Sequence, residues 1–442
     1  MEKQKVIFGN SLSDGMQCVQ KDYSVLYHDR TQGDKYYFSL DKSKLSRHVL
    51  LLGGAGSGKT NVFNLTLSQL REKQTSNDVF IIFDTKGDFY ENFFQNGDYI
   101  LGNGKSYREI SQRWNIFEEV LADGYDAEDY EINARELAAA LFADRGSSTQ
   151  PFFVNAARDI FAQTVIYFIR RAIDNPEQRK QYLNNKKLIA FLMNAGSEQY
   201  RKIFTYYKDM QGVLSYIGDG TSNQALGVFG ELKNMLSELF IGVFNDLDER
   251  GKFSIRSAVR EKGGKAIFIE YDLMAGETMT PIYRMLVDLV LKEALGRRDT
   301  LDANVYLVLD ELKLLPKLKH LDDALNFGRS KGVKVIAGLQ SVNQLYDIYG
   351  EAKGHVIAGG FSTLYAFHTS DNASREYVSG LFGRNVVGYQ YFGLDGNLEK
   401  REREGYTVES WDQTSLEIGE AIIGLADIEI PFFFQFQEYK RG

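Results

Sequence analysis

Cysteine is almost missing from this sequence, and Cys18 stands alone. One thiol excludes an intramolecular disulfide and a cysteine-based zinc site, and it fits a reducing cytoplasm. The five histidines, His28, His48, His320, His355 and His368, show no metal-ligand spacing. Proline is scarce too, at five in 442 residues. With no low-complexity tract, that argues against long disordered linkers. No apolar run reaches the length of a transmembrane helix, and Met1-Glu2-Lys3-Gln4-Lys5 leads into no segment of the signal-peptide kind. Nor is there an excess of positive charge, since the formal net charge is −8. A generally basic exterior is excluded, so nucleic acid would have to be held on a local basic surface such as a channel lining. What is present is 43% hydrophobic and 13% aromatic residues, a globular composition over a length fit for two or three domains.

The chain is organised around Gly53-Gly54-Ala55-Gly56-Ser57-Gly58-Lys59-Thr60, which has the spacing of a P-loop. Glycines let the backbone curl so that successive N–H groups face one concavity, where a side chain would block a phosphate. Gly53, Gly54, Gly56, Ser57 and Gly58 would form that cradle. Lys59 would reach the β- and γ-phosphates, and the Thr60 hydroxyl would take one Mg²⁺ position. The context agrees. Val49 to Leu52 is a buried strand entering the loop, and Val62, Phe63, Leu67 and Leu70 follow near helical spacing. The alternative is a glycine-rich turn without a ligand.

The rest of the chain supplies the frame. Residues 1–45 alternate as a small β-rich lead-in, with a turn at Asp29-Arg30-Thr31-Gln32-Gly33-Asp34. Residues 46–121 form the first part of a nucleotide-binding domain. In it Val79 to Phe83 reads as a buried parallel strand ending in Asp84-Thr85-Lys86-Gly87-Asp88, either at a ligand crevice or in a solvated turn. From 122 to 262 the strand runs stop, and Ala-, Glu- and Leu-rich stretches point to an inserted all-α domain, with Ser147-Ser148-Thr149 capping a helix at Pro151. Residues 263–442 resume the α/β rhythm. Val305 to Leu309 followed by Asp310-Glu311 is a Walker B pattern, in which Asp310 would hold the Mg²⁺ shell and Glu311 would polarise the attacking water. Gln340 ends the strand from Val333 to Leu339, where a polar side chain can sense the γ-phosphate. Lys313, Lys317, Lys319, Lys331 and Lys334 make a local basic density that could face DNA. The polar segment 388–412 reads as a mobile, solvated excursion.

Several blocks together resemble the coupling ATPases of conjugative DNA transfer and type IV secretion, within the FtsK/HerA group of hexameric translocases. They are Arg47 to Gly53 running into the P-loop, Phe83 to Asp88, Trp114-Asn115, Pro151-Phe152-Phe153 with Ala156-Ala157-Arg158, and above all the stretch from Asp310-Glu311 through Leu315-Pro316-Lys317-Leu318 and Gly328-Arg329-Ser330-Lys331-Gly332 to Gly338-Leu339-Gln340-Ser341. The likeness spans about residues 45 to 440. It implies a RecA-like P-loop NTPase with a mainly parallel sheet, ATP and Mg²⁺ as cofactors, and a ring, expected to be a hexamer. By position it makes Lys59 and Thr60 the Walker A pair, Asp310 and Glu311 the Walker B pair, and Gln340 the sensor. It makes Arg329 an arginine finger serving the neighbouring subunit's nucleotide. On the residues alone, the alternative is that Arg329 is a cation complementing its own helix dipole.

The resemblance implies a motor that delivers DNA, or a relaxase joined to DNA, to a secretion channel, with the insertion recognising a relaxase or other cargo. Family members usually begin with transmembrane helices, and this sequence has no counterpart. The expectation is a cytoplasmic protein recruited to the inner face of the membrane by a partner. Phe367-His368-Thr369-Ser370-Asp371 also departs from an arginine-containing block of the family. Two other readings use the same residues: a soluble hexameric translocase or helicase of repair or defence, and an ATP-gated protein-recruitment module.

Overall fold

A computed structural model describes residues 5–19, 21–143, 151–218, 220–245, 252–274, 276–300, 302–392 and 398–441. The capping candidates Ser147-Ser148-Thr149 lie outside the described residues. Two compact units divide the chain. Unit 1 comprises residues 1–96, 263–266 and 294–442, and unit 2 comprises 97–262 and 267–293. This division differs from the sequence boundaries in giving residues 97–121 and 267–293 to the mainly helical unit.

In chain order, the elements of unit 1 that bear on the site are β1 (Lys5–Phe8), β2 (Val25–Asp29), β3 (Gly33–Leu40), β4 (Val49–Leu52), helix α1 (Lys59–Glu72), β5 (Asp78–Asp84), α2 (Asp88–Phe93), β6 (Asn304–Leu309), α3 (Leu321–Phe327), β7 (Val333–Leu339), β8 (Thr363–Phe367), β9 (Arg384–Phe392), β10 (Leu398–Tyr406), β11 (Glu420–Leu425) and β12 (Ile428–Gln435). Strands lie in the order β12-β11-β8-β4-β7-β6-β5. The five from β8 to β5 are parallel, and β11 and β12 add an antiparallel edge. Every residue of β4, β5, β6 and β7 is buried, which explains why they read as unbroken apolar runs rather than alternating ones. Helix α1 buries Val62, Phe63, Leu67 and Leu70, one stripe at helical spacing.

Within the segment expected to be a mobile excursion, 388–412, the described residues include two paired strands. Strands β9 and β10 pair antiparallel residue for residue, from Arg384 opposite Tyr406 to Phe392 opposite Leu398, and β1 adds a third strand against β9. The lead-in also contributes β2 and β3, which pair antiparallel. Their side chains Tyr27 and Phe38 pack on Tyr365 of β8 and on Phe434 and Phe436 near the chain end.

Unit 2 is built mainly on helices, among them Ala127–Leu141, Pro151–Asp174 and Asn223–Leu239, together with a parallel strand pair joining Tyr99–Gly102 to the end of Lys265–Glu270. Pro151 opens its helix, where a missing N–H is harmless. The Trp114-Asn115 block has a structural role here. Trp114 Nε1 donates to the buried carboxylate of Glu119 at 2.9 Å, and Asn115 caps the helix Ile116–Val120. Glu119 also accepts from Ser254 Oγ and from the backbone amides of Ile255 and Arg256, so its charge is fully shared. Among the described residues, no helix is long and apolar enough to cross a membrane.

Candidate functional site

The carboxyl ends of β4, β7, β6 and β5 meet at one edge of the sheet, and the predicted residues gather there. The loop after β4 is tightly shaped. Gly53 N donates to Leu339 O, and Gly54 N donates to His368 O at 2.9 Å. A Cβ on Gly53 would stand 2.5 Å from Phe367 Cβ, and one on Gly58 would stand 2.9 Å from Gly419. Gly58 also has a φ of 109°, so both its space and its backbone demand glycine. The first turn of α1 begins at Lys59, and its amides have no carbonyl within the helix to bond.

Lys59 is buried and folded back. Its Nζ donates to Gly53 O and, at 2.9 Å, to Gly54 O. Burial lowers its pKa, while Glu311 and Asp310 counter that shift and Lys86 adds to it. The Lys59 ammonium therefore rests on the loop's own carbonyls, beside two acids. The Ser57 hydroxyl is buried and finds no hydrogen-bond partner among the described residues. A buried polar atom left without a partner is costly, and this one belongs to the loop itself. Glycine cradle, withheld lysine and orphaned hydroxyl together fit a bound phosphate chain.

Asp310 and Glu311 follow β6. Burial pushes the Asp310 carboxyl upward, against a 3.1 Å hydrogen bond from Thr85 Oγ1 to its Oδ2. Burial likewise raises Glu311, whose Oε2 accepts from Gln340 Nε2 at 2.7 Å. Glu311 Oε1 has no partner among the described residues. Acid pair, amide and lysine are the groups a site needs to hold a divalent cation and orient a water beside a phosphate.

The turn after β5 divides its labour. Asp84 points inward and accepts from the amides of Lys86, Gly87, Phe89 and Tyr90, at 2.8 to 3.2 Å, fixing the start of α2. Thr85 and Lys86 are the residues presented to the site. Thr85 was not singled out from the sequence; a hydroxyl next to Asp84 carries no local signal of reaching an acid 225 positions away.

Arg329 lies apart from this cluster. It follows α3 and precedes β7, at the amino ends of the strands, whereas the P-loop leaves the carboxyl end of β4, which runs parallel to β7. Seven residues of strand separate the two edges by about 20 Å. Arg329 is exposed, and its Nη2 lies 3.5 Å from Ser43 Oγ.

The basic density divides as well. Lys313, Lys317 and Lys319 are exposed. Lys331 pairs with Asp299 at 2.9 Å. Lys334 does not face solvent. It is 1% exposed, donates to Asn304 Oδ1 at 2.6 Å, and burial lowers its pKa to about 8. Strand β7 is buried on both faces, so a lysine on it is buried whichever face it takes.

Beside the P-loop is a cavity of about 890 Å³, walled by Ala55, Gly56 and Ser57 on one side and by Leu416 to Ile418 and Gln435 on others. No sequence motif pointed to its outer walls.

Comparison with known proteins follows the same outline. The family model of the type IV secretion-system coupling protein DNA-binding domain matches residues 37–407. Coupling protein TraD of Escherichia coli strain K12 is 23% identical over 343 residues, covering 76% of this chain and 44% of that protein. The chain thus spans less than half the length of that curated relative. The bacterial conjugative coupling protein TrwBdeltaN70, in an unbound monoclinic form, superposes with a TM-score of 0.77 at 22% identity over 99% of this chain and 94% of its own. Plasmid coupling protein TrwB in complex with ADP and Mg²⁺ gives 0.74 at 21% identity, over 100% and 96%. The α/β sheet order, the P-loop edge and the match over residues 37–407 lead to one assignment: the chain belongs to the type IV secretion-system coupling protein DNA-binding domain family.

Proposed function

We propose that this chain is an ATP-hydrolysing motor that moves DNA, acting as the coupling protein that hands DNA or a relaxase–DNA cargo to a type IV secretion channel. The observation that carries this reading is the convergence of Lys59, Ser57, Asp310, Glu311 and Gln340 on one edge of the sheet, with the Ser57 hydroxyl unpartnered. The amides of the loop Gly53–Gly58 that are not taken by Leu339 and His368 hold the phosphates, and Lys59 leaves the carbonyls of Gly53 and Gly54 to neutralise them. Thr60 and Asp310 would hold Mg²⁺, which supplies charge neutralisation between the phosphates when bound. Glu311 orients and polarises the attacking water, and Gln340 fixes the Glu311 carboxylate.

Arg329 stands on the edge away from its own P-loop, so as a finger it acts on a neighbour's nucleotide, which calls for a ring, here a hexamer. Lys313, Lys317 and Lys319 give the acidic chain a local cationic surface for DNA phosphates. The helical unit takes the cargo, and a membrane partner recruits the assembly to the inner face of the membrane.

The test is ATP hydrolysis with and without single-stranded and double-stranded DNA, at low and raised salt, with Lys59→Ala as the blank. Stimulation by DNA that fades with salt is expected, because phosphate contacts compete with counterions. Nucleotide binding without any stimulation, at concentrations that permit a ring, would favour an ATP-gated recruitment module instead.

A further inference from the structure

The block Phe367-His368-Thr369-Ser370-Asp371, which departs from the family's arginine-containing pattern, begins at the last residue of β8, the strand paired with β4. It lies between the P-loop and the loop that carries Gln340. On one side His368 O accepts from Gly54 N at 2.9 Å. On the other, Asp371 Oδ2 accepts from Ser341 Oγ at 2.7 Å, from Ser374 Oγ at 2.6 Å and from Ser374 N at 2.9 Å. Val342 N adds a 3.0 Å bond to Ser374 Oγ. Asp371 caps the helix Asn372–Phe382, but a cap needs only the Ser374 amide. The Ser341 hydroxyl belongs to a different segment.

The tie to Ser341 is strong for its kind. Burial opposes ionisation of Asp371, but hydrogen bonds from Ser374 and Ser341 outweigh it and hold the carboxyl below its ordinary value. A hydrogen bond to an ionised carboxylate is about twice as strong as a neutral one. The frame behind it is also fixed. Arg375 Nη1 donates to Ser370 O at 2.7 Å, and Gln413 Nε2 donates to Arg375 O at 3.1 Å. Gln340 has less support of its own. It stands just past β7, is exposed, and gives its backbone N–H to Gln344 Oε1 at 3.2 Å. Where its amide meets Glu311 therefore depends on what holds Ser341.

We propose that Asp371 is a positioning residue for ATP hydrolysis, acting through the Ser341 hydroxyl to hold the strand end from which Gln340 reaches Glu311. Through His368 the same block sets that strand end against Gly54. A γ-phosphate in the cradle and the carboxylate that polarises the water would then stand in one fixed relation. A misplacement of about 1 Å at such a point can cost about a hundredfold in rate. The inference rests on the nucleotide reading above and extends it to what aligns the sensor.

The experiment is single-turnover ATP hydrolysis beside equilibrium ATP binding, on the full chain with Mg²⁺ present. Ser341→Ala keeps the Asp371 cap and the bond from Val342 to Ser374. It should slow hydrolysis by about tenfold and leave ATP affinity within about threefold. Ser341→Thr, which returns the hydroxyl, should recover the rate. In a Gln340→Leu background Ser341→Ala should cost nothing further, because its effect passes through Gln340. The proposal is overturned if Ser341→Ala hydrolyses ATP as the unaltered protein does, or if affinity falls in step with rate. It is also overturned if the double variant falls about tenfold below Gln340→Leu alone. In each of these cases the unaltered protein still hydrolyses ATP, and the nucleotide reading stands. An unaltered protein that binds ATP and hydrolyses none would overturn both together.

Discussion

Gln340 Nε2 donates to Glu311 Oε2 at 2.7 Å, joining the ends of two neighbouring parallel strands at the mouth of the site. With one oxygen so held, the other is left to meet a water. Replacing Gln340 by leucine keeps the bulk and removes the bond. Hydrolysis should fall by about a hundredfold while ATP affinity stays within threefold. Single-turnover hydrolysis beside equilibrium binding checks this, and a parallel loss of affinity would reject the assignment.

Thr85 holds Asp310 by a 3.1 Å bond to Oδ2. In Thr85→Val the carboxylate loses that partner, and an outer partner of a metal-holding group commonly matters by about tenfold in affinity. The Mg²⁺ concentration needed for half-maximal hydrolysis should rise accordingly, with saturated kcat little altered. An unchanged Mg²⁺ titration would show that the hydroxyl only fills space.

Arg329 and Lys59 sit on opposite edges of one sheet, which allows a mixing experiment. Arg329→Ala should lower kcat by about 10³-fold and spare binding. Lys59→Ala should abolish binding. Mixed together, the two dead variants should regain activity, because some interfaces pair an intact P-loop with an intact finger. A mixture as inactive as its parts would sink the role in trans.

His48 is buried beside β7, and its Nδ1 accepts from Val335 N at 3.1 Å. Burial lowers its pKa to about 4, from an ordinary value of 6.5. The neutral ring is the folded form, so the unfolded chain binds more protons between those values. The stabilisation is complete above pH 6.5 and is lost as pH falls toward 4, by up to about 3 kcal/mol. Urea midpoints at pH 7 and pH 5 should show this. His48→Asn, which tolerates the residue's φ of 62°, should remove this pH-dependent increment, whatever its stability at pH 7.

Arg256 links Asp123 at 2.7 Å, Glu293 at 3.0 Å and the Glu119 carbonyl at 3.1 Å within unit 2. For Asp123, burial opposes ionisation, but hydrogen bonds from Asn133, Arg256 and Arg260 outweigh it and hold the carboxyl well below its usual range. Arg256→Ala should destabilise the helical unit by about 2 kcal/mol, since Asp123 and Glu293 each lose one of two guanidinium partners and keep Arg260. Arg256→Lys should fail to rescue it, because one ammonium cannot span three directions. Urea unfolding followed by Trp114 fluorescence would measure both.

The legible parts of the fold share one property. Strands such as Val305–Leu309 and Val333–Leu339 are buried on both faces, so they appear as unbroken apolar runs. The P-loop and the acid pair were legible because their chemistry is packed into a few consecutive residues. The β9–β10 hairpin was not, because Gly388, Tyr389 and Gln390 lie opposite Glu402, Arg401 and Lys400, a pairing without apolar alternation. Lys334 was misplaced for the converse reason: a charge in sequence gives no sign that Asn304 waits for it across the sheet. The walls formed by Arg30, Ile418 and Gln435 come from opposite ends of the chain, and only the folded chain brings them to Gly56.

The bond from Gly419 to Ser57 also sets an order of events during synthesis. The ribosome finishes the P-loop early, yet the segment that walls it arrives more than about 20 seconds later at ordinary elongation rates. Until then the nascent chain has every P-loop residue and only part of the cavity's lining. A fragment ending before Gly419 would still display every P-loop residue while lacking the wall that completes the cavity.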